Sequence, residues 1–136
     1  MILASGCFDG LHNGHVRYLQ AARAMFPGES LTVAVASDLY IREKKHRDPT
    51  WLEEDRVDAV RALRIVDEVV IHGRTGATEV ILTRSPHAFV KGADWLECGL
   101  PADVVVACQA VGAQMIFVNS QRNGHTSDAV SPLVSA

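Results

Sequence analysis

The sequence predicts an α/β fold: a three-layer α/β/α sandwich around a five-stranded parallel sheet. Three observations lead there. Five short apolar runs, rich in β-branched residues, alternate with segments of helical spacing. The second run, Leu31–Ala36, is apolar throughout rather than alternating, as a strand buried on both faces must be. Finally, the distinctive polar and glycine-rich stretches follow strands one, two, four and five, so parallel strands would bring them to one rim of the sheet.

In chain order, Met1–Ala4 is a first strand, followed by Gly6, Gly10 and Gly14 with His12 and His15 interleaved. Val16–Phe26 has Val16, Leu19, Arg23 and Phe26 at helical spacing and several alanines, and Pro27-Gly28 stops it. Leu31–Ala36 is the second strand. Residues 39–51 are expected to be a long polar connection of the kind that forms lids or binding loops, with Arg42, Lys44, Lys45, His46 and Arg47 crowded together. A helix then begins at Trp51 or Leu52, with Glu53, Glu54 and Asp55 in its first turns, where the helix dipole favours acids. Glu68–Ile71 is the third strand, Thr75–Thr83 a helix and Ala88–Val90 the fourth strand. The loop Lys91-Gly-Ala-Asp-Trp95 follows. Pro101 suits the first turn of a helix running to about Val111. Met115–Val118 is the fifth strand, and Thr126-Ser127-Asp128 could cap a last helix. The arrangement is Rossmann-like.

The composition sets bounds. The 136 residues suit one domain over 1–136 with a single core. A net charge of −3 argues against a generic nucleic-acid binder, though local cations could still hold a small anion. The three cysteines, Cys7, Cys98 and Cys108, lack metal-ligand spacing and read as thiols of a reducing compartment. No run reaches the eighteen or so apolar residues of a membrane helix, and no basic region precedes an apolar leader, so no membrane partner and a cytoplasmic location are expected.

The chemistry is concentrated in residues 6–15. A strand, a glycine-rich loop and a helix start form an anion-binding arrangement, because the helix N-terminus presents N–H groups and a positive dipole end. His12 and His15, three residues apart, fall on one side of the first turn and can donate to phosphate oxygens, while Gly14 leaves room for a nucleotide. Two incidental surface histidines, or a metal pair without an obvious third ligand, are the alternative readings.

Gly6-Cys7-Phe8-Asp9-x-x-His12-x-Gly14-His15 resembles the HxGH signature of the small nucleotidyltransferases in its cytidylyltransferase-like form. The resemblance extends over residues 2–130. Val90-Lys-Gly-Ala-Asp-Trp95 resembles the corresponding stretch of ADP-heptose synthase adenylyltransferase domains, and less closely the Gly-Asp-Asp-Trp of glycerol-3-phosphate cytidylyltransferases. Glu54-Asp-Arg56 is similar to the family's Glu-x-Arg, and His125-Thr126-Ser127 to its Ser-Thr-Thr or Ser-Thr-Ser, with His125 in place of the first serine.

The resemblance implies a single nucleotidyltransferase domain. Its implied catalytic residues are His12, His15, a lysine of the Lys44–Lys45 pair, and Arg56, which would hold phosphates or order the basic loop. Gly6, Cys7, Phe8, Asp9, Gly14, Lys91, Gly92, Thr126 and Ser127 would contact nucleotide; Asp9, Arg42, Asp94 and Trp95 would contact the acceptor. The implied reaction is attack of an acceptor phosphate on the α-phosphorus of a nucleoside triphosphate. Magnesium accompanies the triphosphate, and no dedicated protein metal cage is expected. A sugar 1-phosphate such as heptose 1-phosphate, with ATP, is the first acceptor reading. Glycerol 3-phosphate with CTP is the second, and a nucleotide-binding module without catalysis the third. The family also implies a homodimer.

Overall fold

The computed structural model describes residues 1–119 and 129–133, the latter as backbone only. Its elements are β1 (Ile2–Gly6), α1 (Asn13–Met25), β2 (Leu31–Ala36), α2 (Asp38–Lys45), α3 (Glu53–Arg61), β3 (Glu68–His72), α4 (Ala77–Arg84), β4 (Ala88–Gly92), α5 (Trp95–Cys98), α6 (Ala102–Val111), β5 (Gln114–Val118) and β6 (Ala129–Leu133). The strand order is β3-β2-β1-β4-β5-β6, and the first five strands are parallel as expected.

Alternation along the strands divides the core in two. Ile2 and Ala4 of β1, with Val33 and Val35 of β2, face Tyr18, Leu19 and Ala22 of α1 and Val57 and Val60 of α3. Leu3, Ala34, Phe89 and Met115 face the opposite way, onto Val80 and Ile81 of α4 and Val104, Ala107 and Cys108 of α6. The helix layers on either side make the three-layer sandwich. Burial also pushes the Cys108 thiol up to about 11, so it sits in the core as a protonated apolar group.

Two expectations are corrected. The basic stretch after β2 is not a loop along its whole length, because Asp38–Lys45 is helical. Ser37 caps it by accepting the Tyr40 N–H (3.0 Å), Asp38 sits in its first turn, and Arg42, Lys44 and Lys45 lie in its last turn. Only Ile41 of this helix is buried, so it leaves almost no apolar period to read. His46 then ends it in the left-handed region (φ 57°).

The second correction concerns the chain end. The last element is a strand, β6, antiparallel to β5 and irregular between Ile116 and Val118, not a helix. Pro132 explains the choice: it would remove a hydrogen bond from a helix interior, whereas an edge strand tolerates it. No helix among the described residues is long and apolar enough to cross a membrane.

The sheet splits at its middle. β1 pairs with β4 only from Ile2–Ala88 to Ala4–Val90, although β1 continues to Gly6 and β4 to Gly92. This is the switch point, where successive crossovers leave in opposite directions and a crevice forms at the carboxyl ends of the strands.

Candidate active site

Polar side chains hold the split open. The Tyr18 hydroxyl donates to the Val90 carbonyl and accepts the Ser5 N–H (3.2 Å). Lys91 Nζ donates to the Ser5 carbonyl at 2.8 Å. Both strands therefore find partners for groups that regular pairing no longer satisfies.

Burial pushes the Lys91 ammonium down to about 8, although nearby Asp94 and Cys7 favour its charge. Its Nζ lies 4.9 Å from the centre of the Trp95 ring, and Lys45 Nζ lies 5.9 Å from the same ring.

Two cavities flank the split. The first, about 660 Å3, lies on the α1 side and is lined by the β1–α1 loop, His12, Gly14, His15, Tyr18, the β4 end from Lys91 to Trp95, and Asn119. The second, about 470 Å3, lies on the α4 and α6 side, lined by Tyr40, Lys45, His72, Ala77, Phe89, Leu100, Pro101 and Val104 among others. Ser5, Gly6, Cys7, Lys91, Asp94 and Trp95 belong to both.

The histidine pair is fixed by the helix start itself. His12 is the N-cap of α1, and its Nδ1 accepts the Gly14 N–H at 3.0 Å. His15 Nδ1 returns the bond, accepting the His12 N–H at 3.1 Å. An Nδ1 that accepts leaves the ring hydrogen on Nε2, the donor form that suits phosphate oxygens. The rings stack with centroids 3.9 Å apart, so each restricts the other. Phe8 backs this pair, its ring centroid 5.2 Å from that of His15. It adopts φ 51°, an uncommon conformation for a large residue. Gly6 is what admits it, since a Cβ there would lie 3.1 Å from Phe8 Cε2.

Arg56 and Asp9 occupy different positions from the cleft residues. Arg56 is completely buried, and its guanidinium donates to the carbonyls of Trp51, Cys7 (2.8 Å) and Ala36 and to Asp38 Oδ1 (2.7 Å). The guanidinium thus ties the ends of β1 and β2 to the chain entering α3. Asp9 is the second clasp. Its carboxylate accepts from Arg47 (2.7 Å), the Thr50 N–H (2.8 Å) and the Trp51 N–H (2.8 Å). Burial alone would push this carboxyl up, but those three donors outweigh it and hold the group below the usual carboxylate range. Neither Asp9 nor Arg56 lines either cavity.

The other expected residues separate cleanly. Gly6, Cys7, Phe8, His12, Gly14, His15, Lys91, Gly92, Asp94 and Trp95 converge on the first cavity. Lys45 reaches the second, whereas Lys44 lines neither and Arg42 is exposed, paired to Asp48. Thr126 and Ser127 lie outside the described residues. Ser5, Tyr18, Tyr40, His72 and Asn119, which the family motifs do not include, also line the cavities. Ser5, His72 and Asn119 share one legible signal, a polar side chain at or just past the carboxyl end of a parallel strand.

A family model described as Cytidylyltransferase-like matches residues 3–131. The chain belongs to the cytidylyltransferase-like family. The reaction class of that family is nucleotidyl transfer, as the HxGH segment implied. The chain is 37% identical over 138 residues to the "Bifunctional protein HldE" of Gluconobacter oxydans, a match covering all of this chain and 28% of that protein. It is 43% identical over 83 residues to the "FAD synthase" of Thermococcus onnurineus, covering 61% of this chain and 53% of that one. The chain thus spans about a quarter of the length of that HldE relative. Among solved structures, a lipopolysaccharide core biosynthesis protein from Thermoplasma volcanium superposes with a TM-score of 0.73 at 23% identity, over 90% of this chain and 97% of that one, a likeness of fold.

Proposed function

We propose that this member of the family transfers AMP from ATP to a sugar 1-phosphate of the heptose 1-phosphate kind, releasing pyrophosphate. The observation that carries the reading is the pair of cavities on opposite sides of the β1–β4 split, joined by one wall of six residues. Transfer of a phosphoryl centre needs donor and acceptor on opposite sides of the reacting phosphorus, in line. The triphosphate occupies the first cavity, with its α-phosphate at the shared wall, and the acceptor phosphate approaches from the second. The HldE match along the whole chain supports the sugar phosphate as acceptor.

In this scheme an acceptor phosphate oxygen forms the new bond to the α-phosphorus. The bond to the bridging oxygen breaks, and its electron pair leaves with pyrophosphate. An anionic phosphate needs no strong base, so the protein contributes position and charge. The Nε2–H groups of His12 and His15 donate to triphosphate oxygens. Lys91, in the shared wall, offsets charge where the bonds change, and Lys45 draws the acceptor phosphate from the second side. Arg56 and Asp9 hold the loops that carry these groups.

Magnesium bound with the triphosphate would supply positive charge that offsets that of the phosphates. Asp94, a carboxylate lining the cleft, is the residue that would help hold a cation delivered with the triphosphate.

Pyrophosphate release measured with ATP or CTP against a panel of phosphorylated acceptors tests the reading. Turnover is expected with ATP and a sugar 1-phosphate. Turnover confined to CTP with glycerol 3-phosphate, or to ATP with FMN, would replace the acceptor. Tight nucleotide binding with no release from any acceptor would leave a non-catalytic binding module.

A further inference from the structure

The second cavity has a side that the transfer chemistry does not use. His72, the last residue of β3, lines it and is only 5% exposed. The Tyr40 ring of α2 meets the imidazole edge-on, with centroids 4.6 Å apart at 89°. Gly76, at φ 66° ahead of α4, lets Tyr40 lie where it does, because a Cβ there would come within 3.3 Å of the Tyr40 ring. Position and orientation of both side chains are therefore set by packing.

Their hydrogen-bonding capacity is not used up. His72 Nδ1 lies 3.3 Å from the Gly73 carbonyl, which can only accept, so Nδ1 carries the hydrogen and Nε2 a lone pair. Neither Nε2 nor the Tyr40 hydroxyl has a hydrogen-bond partner among the described residues. A buried polar atom left in that state calls for a ligand or a water. Burial holds the imidazole below its usual range, helped by the positive charges of Lys91 and Arg56 and opposed by the Gly73 carbonyl; it is therefore neutral at pH 7. Burial likewise keeps the Tyr40 phenol protonated, reinforced by Cys7 and Asp103. The remaining charged groups of this cavity, Lys45, Lys91 and Asp94, lie with Trp95, and the floor between is apolar, formed by Ala77, Phe89, Leu100 and Val104.

The cavity thus offers cations for a phosphate, aromatic and aliphatic surface for C–H faces, and on its β3 side one neutral acceptor beside one neutral donor. We propose that Tyr40 and His72 determine acceptor specificity by reading the hydroxyls of an uncharged, ring-shaped polyol carrying a single phosphate, His72 Nε2 accepting from one hydroxyl and the Tyr40 phenol donating to another. This rests on the second cavity being the acceptor side of the transfer site. A second anionic group on the acceptor would face the Nε2 lone pair and is selected against.

The test uses the full chain with His72→Leu, His72→Gln and Tyr40→Phe. Initial rates with ATP and mannose 1-phosphate or heptose 1-phosphate should show the KM for the sugar phosphate rising roughly fivefold to tenfold in His72→Leu, the loss of about one hydrogen bond. The KM for ATP should stay within about twofold. His72→Gln, whose amide oxygen can accept, should recover part of the loss, and Tyr40→Phe should raise the same KM alone. An unchanged sugar-phosphate KM in His72→Leu, or an equal rise in the KM for ATP, overturns the proposal. If no acceptor releases pyrophosphate, the transfer reading has failed, and the His72 ring resonances of the wild-type protein then judge this proposal separately. A titration shift with mannose 1-phosphate that inorganic phosphate does not reproduce supports it; no shift with either sugar phosphate overturns it.

Discussion

Replacing Arg56 with methionine separates a residue that touches phosphate from one that builds the site. The methionine fills much of the arginine's volume but removes a guanidinium that donates to three carbonyls and one carboxylate in a completely buried position. Removing one partner of such a cluster leaves its acceptors desolvated and unpaired, which costs about 3–5 kcal/mol. Set against a total stability of about 5–15 kcal/mol for a domain, that is from about a fifth to the whole. With a urea m-value of about 2 kcal/mol per molar, the midpoint should fall by roughly 2 M. Equilibrium urea unfolding followed by tryptophan fluorescence measures this, because Trp51 lies directly against the cluster through its carbonyl. A midpoint shift below about 0.5 M together with a large loss of kcat would refute the reasoning. Arg56 would then be acting on substrate.

Other predictions follow from the same geometry. Because Lys91 titrates near 8, kcat/KM should fall as pH rises past about 8, and Lys91→Arg should move that limb upward. The sign for stability is opposite: the folded value lies below the unfolded one near 10.5, so the unfolded chain binds more protons between about pH 8 and 10.5. Wild type should therefore gain stability relative to Lys91→Met across that interval, by about 3 kcal/mol at most, read from urea midpoints at each pH. His12→Asn keeps a side chain able to cap α1 but removes the imidazole. It should leave the unfolding midpoint nearly unchanged and lower kcat by roughly 100-fold or more, whereas His12→Ala should also cost about 1 kcal/mol of stability. Gly6→Ala should displace the Phe8 ring and weaken ATP binding about tenfold by titration calorimetry; equal affinity would show that the loop tolerates the Cβ.

The parallel sheet was legible because strands buried on both faces carry their apolar content in unbroken runs, Leu31–Ala36 above all. Helix α2 was not, because a helix that buries one side chain has no stripe, and its five crowded basic neighbours read as a loop. The chain end is not legible from its local signal, because Thr126-Ser127-Asp128 is a helix-start pattern in isolation, whereas Pro132 farther along disfavours a helix interior. In the site, His12 and His15 could be found from spacing because both the cap and the pairing are local to one turn. Arg56 could be found, but whether it faces phosphate or protein depends on burial, which spacing along the chain does not encode. Tyr40 and His72 are single residues on separate elements, and only the pairing of β2 with β3 and the lean of α2 bring their rings together.

The shared wall between the two cavities also bears on how such a protein can change. His12, Gly14, His15 and Asn119 border only the first cavity; Tyr40, Ala77, Leu100 and Val104 border only the second, and His72 borders it together with a smaller cavity beside α4. Under the proposed assignment of the cavities, substitutions in that second group would reshape the acceptor's surroundings while the turn with its mutual histidine caps stays as it is. The wall residues have no such latitude, since each faces both sides. If the second cavity takes the acceptor as proposed, such a scaffold is redirected to new acceptors by altering α2, α4, α6 and the tip of β3, and library diversity spent on Lys91, Asp94 or Trp95 would be spent on both substrates at once.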